Sequence, residues 1–236
     1  GYAFEHRLND VWQFKQNLRY TKSDLSFQGI TSGGYYGSVT DDGTLSRGAN
    51  VVNEDISQFA VDNNFQADFS TGALKHTVLI GLDHQRINTN YKWLYGNAPT
   101  SNIINPIYSQ DFSNVPYTAY QNYNQKTHDT GLYVQDQMAF EKWRLTLGGR
   151  EDWLKTDSTF YNLNAEDQRN DNAFSGNAAL SYVFDSGFTP YISYAESFQA
   201  EAGGSATGKA YEPSTGKQYE MGIKYQPPGT DRKSVV

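Results

Sequence analysis

Residues 130–153, TGLYVQDQMAFEKWRLTLGGREDW, constrain the fold more than any other stretch of this sequence. With a two-residue turn at Glu141-Lys142, both flanking segments alternate with period two and their apolar faces coincide, as in a β-hairpin. Asp136, which falls opposite Leu147, is the residue that does not fit this pairing. The predicted pairs are Phe140 with Trp143, Met138 with Leu145 and Val134 with Gly149 on the apolar face, and Ala139 with Arg144, Gln137 with Thr146 and Tyr133 with Arg150 on the other.

The rest of the chain repeats this pattern and predicts about nine antiparallel strands. The predicted strands cover about 2–8, 12–30, 51–69, 74–95, 130–140, 143–163, 174–184, 191–199 and 218–225. Short turns at 9–10, 70–73, 141–142 and 185–187 alternate with long loops at about 31–50, 96–123, 164–171 and 200–214. The four-residue connection 70–73 is predicted to pair Phe65 with Val78 and Val61 with Leu82.

This alternation of short turns and long loops is typical of an up-and-down β-barrel in an outer membrane. Residues 11–30 would reach roughly 66 Å when extended, whereas about 9–11 residues are enough to cross a bilayer. We therefore predict an all-β, antiparallel transmembrane barrel segment whose strands also extend above the membrane. Its lipid-facing row includes Leu74, Val78, Ile80 and Leu82, and Trp12, Phe140 and Trp143 lie beside short turns in an aromatic girdle. The alternative folds are a soluble β-sandwich or β-helix, and neither requires such strict alternation.

Composition removes several other classes of protein. The chain of 236 residues has no run of roughly 18 apolar residues, so it predicts no transmembrane helix. It has no cysteine, and its four histidines lack the spacing of metal ligands, so we predict no catalytic centre and no protein-held metal. The formal net charge of -7 argues weakly against a nucleic-acid partner.

Five short motifs resemble those of TonB-dependent siderophore receptors, and within that family the ferrichrome-type, hydroxamate branch. Each motif is only a few residues long, but all five occur in the family's order and at matching hairpin positions. They are residues 16–20 (QNLRY), 133–137 (YVQDQ), 146–150 (TLGGR) with Asp152-Trp153, 191–198 (YISYAESF), and 216–220 (GKQYE) with Gly222 and Lys224-Tyr225.

The resemblance implies a larger architecture than this chain contains. Such receptors have a 22-stranded barrel filled by an N-terminal plug domain, which carries the segment that engages TonB. We accordingly expect residues 1–230 to be an internal piece of the barrel without the plug, and residues 231–236 to be a possible non-native tail. The expected location is the outer membrane of a Gram-negative bacterium. The expected partners are a ferric siderophore, outer-membrane lipid, and the TonB complex through the plug, with no protein cofactor because the siderophore carries the iron.

Aromatic residues near the long loops are the candidate ligand-binding residues. Tyr35 and Tyr36 lie in the first long loop, and Tyr91, Trp93 and Tyr95 are spaced by two, so the latter three side chains share one face of a strand. In the resembling receptors, aromatic residues at about these places line an extracellular pocket for an iron-hydroxamate. The alternative is that Tyr91, Trp93 and Tyr95 belong to an outer aromatic girdle that faces lipid or headgroups.

Three functions remain open at this point. The first is energy-dependent uptake of a ferric siderophore, which the resemblance implies and which involves no enzymatic step. The second is a passive porin, which would keep the barrel and lack the plug. The third is a soluble, β-structured surface adhesin.

Overall fold

The computed structural model describes residues 1–32, 39–108 and 110–226, together with the backbone of residues 234–235. It consists of one antiparallel sheet whose ten strands lie side by side in the order of the chain, without a crossover. The strands are β1 Tyr2–Arg7, β2 Trp12–Ser32, β3 Thr44–Thr71, β4 Leu74–Asn102, β5 Thr118–Phe140, β6 Trp143–Phe160, β7 Ala165–Tyr182, β8 Phe188–Gln199, β9 Ser214–Tyr225 and β10 Ser234–Val235. The prediction of an all-β, up-and-down sheet is confirmed, and β10 adds a two-residue strand beside β9. The sheet does not close, because its order runs linearly from β1 to β10. No helix within the described ranges is long and apolar enough to cross a membrane.

The register of the β5–β6 hairpin agrees with the prediction at every pair, including Asp136 opposite Leu147. Its two-residue turn places Glu141 at φ 47°, the left-handed conformation that such turns require. The structure also provides a partner for Asp136. The Nδ1 atom of His76 lies 2.7 Å from the Asp136 carboxylate, so the polar group in the apolar row is hydrogen-bonded to the neighbouring strand.

The predicted register between β3 and β4 is wrong by two residues. The connection contains only Gly72 and Ala73, so Phe65 pairs with Ile80 rather than Val78, and Val61 pairs with His84 rather than Leu82. Gly72 has φ 61°, which a two-residue hairpin turn needs and which glycine adopts without steric cost. A slip of two residues keeps every side chain on its predicted face, because side chains alternate with period two.

The long loops are shorter than predicted, since several strands continue into them. β3 begins at Thr44, β4 extends to Asn102 and β5 begins at Thr118. The loop expected at 164–171 is wrong, because β7 starts at Ala165 and only residues 161–164 connect it to β6. The charged residues in this stretch favour a loop by composition, yet they are paired within the strand: Arg169 Nε lies 2.7 Å from the Asp171 carboxylate.

The two faces of the sheet differ in what they expose. One, called the outer face, carries Ile80, Leu82 and Val134, whose side chains are 42%, 50% and 49% exposed. The other, called the inner face, carries Asp83, Tyr133 and Arg150 at the same level of the sheet. An exposed apolar row opposite a packed, largely polar row is the pattern of a strand with lipid on one side.

The two ends of the sheet differ in the length of their connections. The turn end carries the connections 72–73 and 141–142, and the loop end carries the longer connections that follow β4 and β8.

Candidate functional site

On strand β4 the apolar side chains lie on the outer face near the turn end and on the inner face near the loop end. Ile80 and Leu82 lie on the outer face, whereas Tyr91, Trp93 and Tyr95 lie on the inner face. The pairing of β4 with β5 is unbroken from Lys75 to Trp93, so no bulge in β4 causes this change of face. The apolar residues simply move from even-numbered to odd-numbered positions. An aromatic girdle would lie on the outer face. The structure instead places all three candidate aromatics on the inner face.

These three aromatic residues line a single cavity at the loop end. Its volume is about 510 Å³, within the range of roughly 300–1,000 Å³ typical of ligand pockets. None of the side chains that line it carries a charge. The lining residues are Phe27, Thr31 and Ser32 from β2, Asn50 and Val52 from β3, Tyr91, Trp93 and Tyr95 from β4, and Tyr120 from β5.

The ring of Trp93 is held by two neighbours. Its Nε1 donates a hydrogen bond of 2.9 Å to Asn50 Oδ1, and Tyr120 meets it edge-on at a centroid distance of 4.6 Å. Tyr120 reaches this position because it bulges out of β5: Trp93 pairs with Gln121 and Leu94 with Ala119, which leaves Tyr120 between them. A ring fixed by both a hydrogen bond and a ring contact presents a rigid apolar surface to the cavity.

A second group of rings continues from the cavity along the inner face. Tyr91 stacks on Tyr123 at 5.3 Å, and Tyr123 packs on Phe160 at 6.0 Å. Burial, followed by the nearby Glu54 carboxylate, raises the pKa of Tyr91 and raises the pKa of Tyr123 to about 12. Both phenols therefore remain neutral at physiological pH and are available as hydrogen-bond donors.

Several residues that line the cavity were not identified from the sequence. Asn50, Thr31 and Ser32 fall in the predicted loop 31–50, and Tyr120 falls in the predicted loop 96–123. The sequence did contain one usable signal, because Tyr91, Trp93 and Tyr95 have odd numbers whereas the apolar row from Leu74 to Leu82 has even numbers. Tyr35 and Tyr36 lie outside the described residues, and their role stays a prediction.

Toward the turn end, the inner face is polar and internally paired. Arg150 contacts the carboxylates of Asp83 at 2.5 Å and Asp152 at 2.6 Å, and the Tyr133 hydroxyl donates to Asp62 at 2.7 Å. Within the described part of the chain, no group of three or more His, Asp or Glu residues is arranged to hold a metal ion. The cavity at the loop end differs from this polar region in being lined by aromatic and uncharged side chains.

A family model and similar curated proteins assign this chain to the same family. A family model described as "TonB dependent receptor-like, beta-barrel" matches residues 1–233. The chain is 35% identical to the ferrioxamine receptor of Yersinia enterocolitica over 98% of this chain and 33% of the relative. It is 34% identical to the ferrichrome outer membrane transporter/phage receptor of Escherichia coli K12, over 100% of this chain and 34% of the relative. The chain thus spans about a third of the length of the curated relatives it matches.

A solved structure agrees with these sequence matches in its fold. The open form of the ferric-catecholate import receptor Fiu from Escherichia coli K12 superposes with a TM-score of 0.78. The match covers 95% of this chain and 37% of that receptor, at 19% sequence identity, so it supports the fold alone.

Proposed function

Because the chain belongs to the TonB-dependent receptor β-barrel family of Gram-negative outer-membrane proteins, we propose that it forms part of the wall of a receptor that takes up a ferric siderophore. The receptor transports its ligand and carries out no enzymatic step. Its energy comes from the inner membrane through TonB, acting on a plug domain. The family match favours this function over a passive porin or a soluble adhesin.

The observation that carries the proposal is the uncharged aromatic cavity on the inner face at the loop end. In a ferric siderophore the iron is already fully coordinated, so a receptor needs broad apolar contact and a few hydrogen bonds rather than metal ligands. The iron is then cargo and not a protein cofactor. Among the described residues, the hydroxyls of Tyr91, Tyr95 and Tyr120 have no hydrogen-bond partner, which leaves them available to a ligand.

The chemistry of the cavity favours a hydroxamate ligand. A ferric trihydroxamate core is neutral, because its hydroxamate anions balance the charge of Fe³⁺, whereas a ferric tris-catecholate is strongly anionic. The cavity provides no cationic side chain to balance such a charge, and the nearest carboxylate that influences its rings, Glu54, would repel it. The names of two relatives, a ferrioxamine receptor and a ferrichrome transporter, agree with this choice.

The proposal is tested by removing one ring of the cavity in the intact receptor. Truncating a buried aromatic contact at a binding hot spot typically costs on the order of 2 kcal/mol, about thirtyfold in affinity. Trp93→Ala or Tyr95→Ala should therefore weaken binding of a ferric trihydroxamate by at least about tenfold, measured by quenching of intrinsic fluorescence.

The control is Trp12→Ala, since Trp12 lies beside a short turn at the opposite end of the sheet. It should leave affinity unchanged, and all three variants should assemble as wild type. If neither loop-end substitution alters affinity for any ferric siderophore that the receptor binds, the cavity is not the ligand site.

A further inference from the structure

The loop between β8 and β9, residues 200–213, folds back across the inner face. Gly203 N donates to Gln125 Oε1 at 3.1 Å, and Gln125 Nε2 donates to Gly203 O at 3.4 Å. Gln125 is only 2% exposed, and its Nε2 also donates to Ser158 Oγ at 3.0 Å, so the amide joins the loop to the strands and does not reach solvent. The next residue, Gly204, lies so close to Phe160 that a Cβ atom would be 2.3 Å from its ring, and glycine is therefore required.

A second anchor holds the other side of the same loop. The Asp167 carboxylate accepts hydrogen bonds of 2.9 Å from both Lys209 Nζ and the backbone N of Ala210. These bonds lower the pKa of Asp167, which keeps the carboxylate ionised and the anchor intact at neutral pH. The loop is thus attached to β5 at one point and to β7 at another, so it forms a wall rather than a free extension.

Between this wall and the strands lies a second cavity of about 340 Å³. Like the first, it has no charged side chain in its lining, but it has two side-chain amides, those of Gln121 and Asn162, where the first has only that of Asn50. It is lined by Tyr120, Gln121, Tyr123, Phe160, Asn162, Leu163, Gly204, Ser205, Ala206 and Tyr211. Tyr120 lines both cavities, and its bulged position in β5 makes it the partition between them.

We propose that the second cavity binds an uncharged, amide-bearing arm of the same ligand whose ferric core occupies the first cavity. Tyr123 and Phe160 offer an apolar floor for such an arm. The Gln121 amide and the Tyr211 hydroxyl, which have no hydrogen-bond partner among the described residues, supply neutral donors and acceptors. This inference rests on the proposed function, because the arm is attached to a core that Trp93 and its neighbours bind.

The test uses the intact receptor and two probes. One is a linear iron(III) trihydroxamate, and the other is the same compound extended at one end by a neutral dipeptide amide. Ala206→Trp fills the second cavity from the exposed tip of the loop without removing either anchor. It should weaken binding of the extended probe by about tenfold and change binding of the parent probe by less than about twofold.

Glu201→Trp is the matched control, since it adds the same side chain to the same loop at an exposed position outside the cavity lining. It should bind both probes as wild type does. Equal effects of Ala206→Trp on both probes, or no effect on either, would overturn the proposal that the second cavity binds an arm of the ligand. If instead Trp93→Ala leaves both affinities unchanged, the first cavity and the proposed function fail, whatever Ala206→Trp does.

Discussion

The turn end and the loop end of the sheet are built from the same strands but have opposite polarity. At the turn end the outer face is apolar and exposed, and the inner face carries Arg150 among carboxylates. At the loop end the outer face of β4 carries exposed Arg86 and Lys92, and the inner face carries Tyr91 and Trp93. The surroundings of each end, and not the strand itself, therefore decide which face is apolar. An exposed apolar row lies outside the turn end, and the cavity that we propose as the ligand site lies inside the loop end.

The largest effect should come from placing a charge in the apolar row at the turn end. Ile80 pairs with Val134 on the outer face, so Ile80→Arg would put a cation in the exposed apolar row that we expect to face lipid. It should destabilise the intact receptor by about 2–4 kcal/mol, measured by folding titrations in lipid vesicles.

The matched variant is Gln137→Arg, on the inner face of the neighbouring strand. It should cost far less, because the inner face does not contact lipid. Equal losses for both variants would mean that the two faces have been exchanged.

A smaller effect should follow from removing the cation of the inner face at the turn end. Arg150→Met would leave Asp152, whose side chain is only 5% exposed, without its charged partner. The expected loss is about 1–3 kcal/mol, the cost of leaving a buried polar group unpaired, in the same titration. Arg144→Met is the control, since Arg144 is exposed and its guanidinium hydrogen-bonds, among the described residues, only to backbone carbonyls of residues 141 and 143. A loss at position 144 as large as that at 150 would show that the Arg150 pairing contributes nothing specific.

The sequence predicts the turn end better than the loop end, and the reason is physical. Near the turns, a lipid-facing row imposes strict alternation, which fixed the register of the β5–β6 hairpin at every residue. The predicted β3–β4 register was wrong by two residues because a two-residue turn and a four-residue turn leave every side chain on the same face. The left-handed Gly72, at φ 61°, marks the turn as the two-residue type. Away from the apolar row, strands such as β7 are polar on both faces. Such a segment shows no alternation of apolar and polar residues, and its composition is that of a loop.

The candidate site was predictable only in part for a related reason. Alternation places Tyr91, Trp93 and Tyr95 on one face of the strand. Because their numbers are odd and those of the apolar row are even, that face is the inner one. The partners could not be inferred, because Asn50 is 43 residues from Trp93 and Gly203 is 78 residues from Gln125 along the chain. Such contacts depend on strand register and on how a loop folds, and neither leaves a periodic pattern in the sequence.

The most direct test of the inverted polarity uses two adjacent positions of β4. This stretch of sequence has no cysteine, so each substitution adds one new thiol to it. Tyr91→Cys places the thiol on the inner face of β4, and Lys92→Cys places it on the outer face. The measurement is the rate of labelling by a water-soluble thiol reagent in the intact receptor, with and without a saturating iron(III) trihydroxamate. The ligand should slow labelling at position 91 by at least about tenfold and leave position 92 unchanged, since only the inner thiol is covered when the site is occupied. Protection at 92 but not at 91, or equal protection at both, would contradict the assignment of the ligand cavity to the inner face.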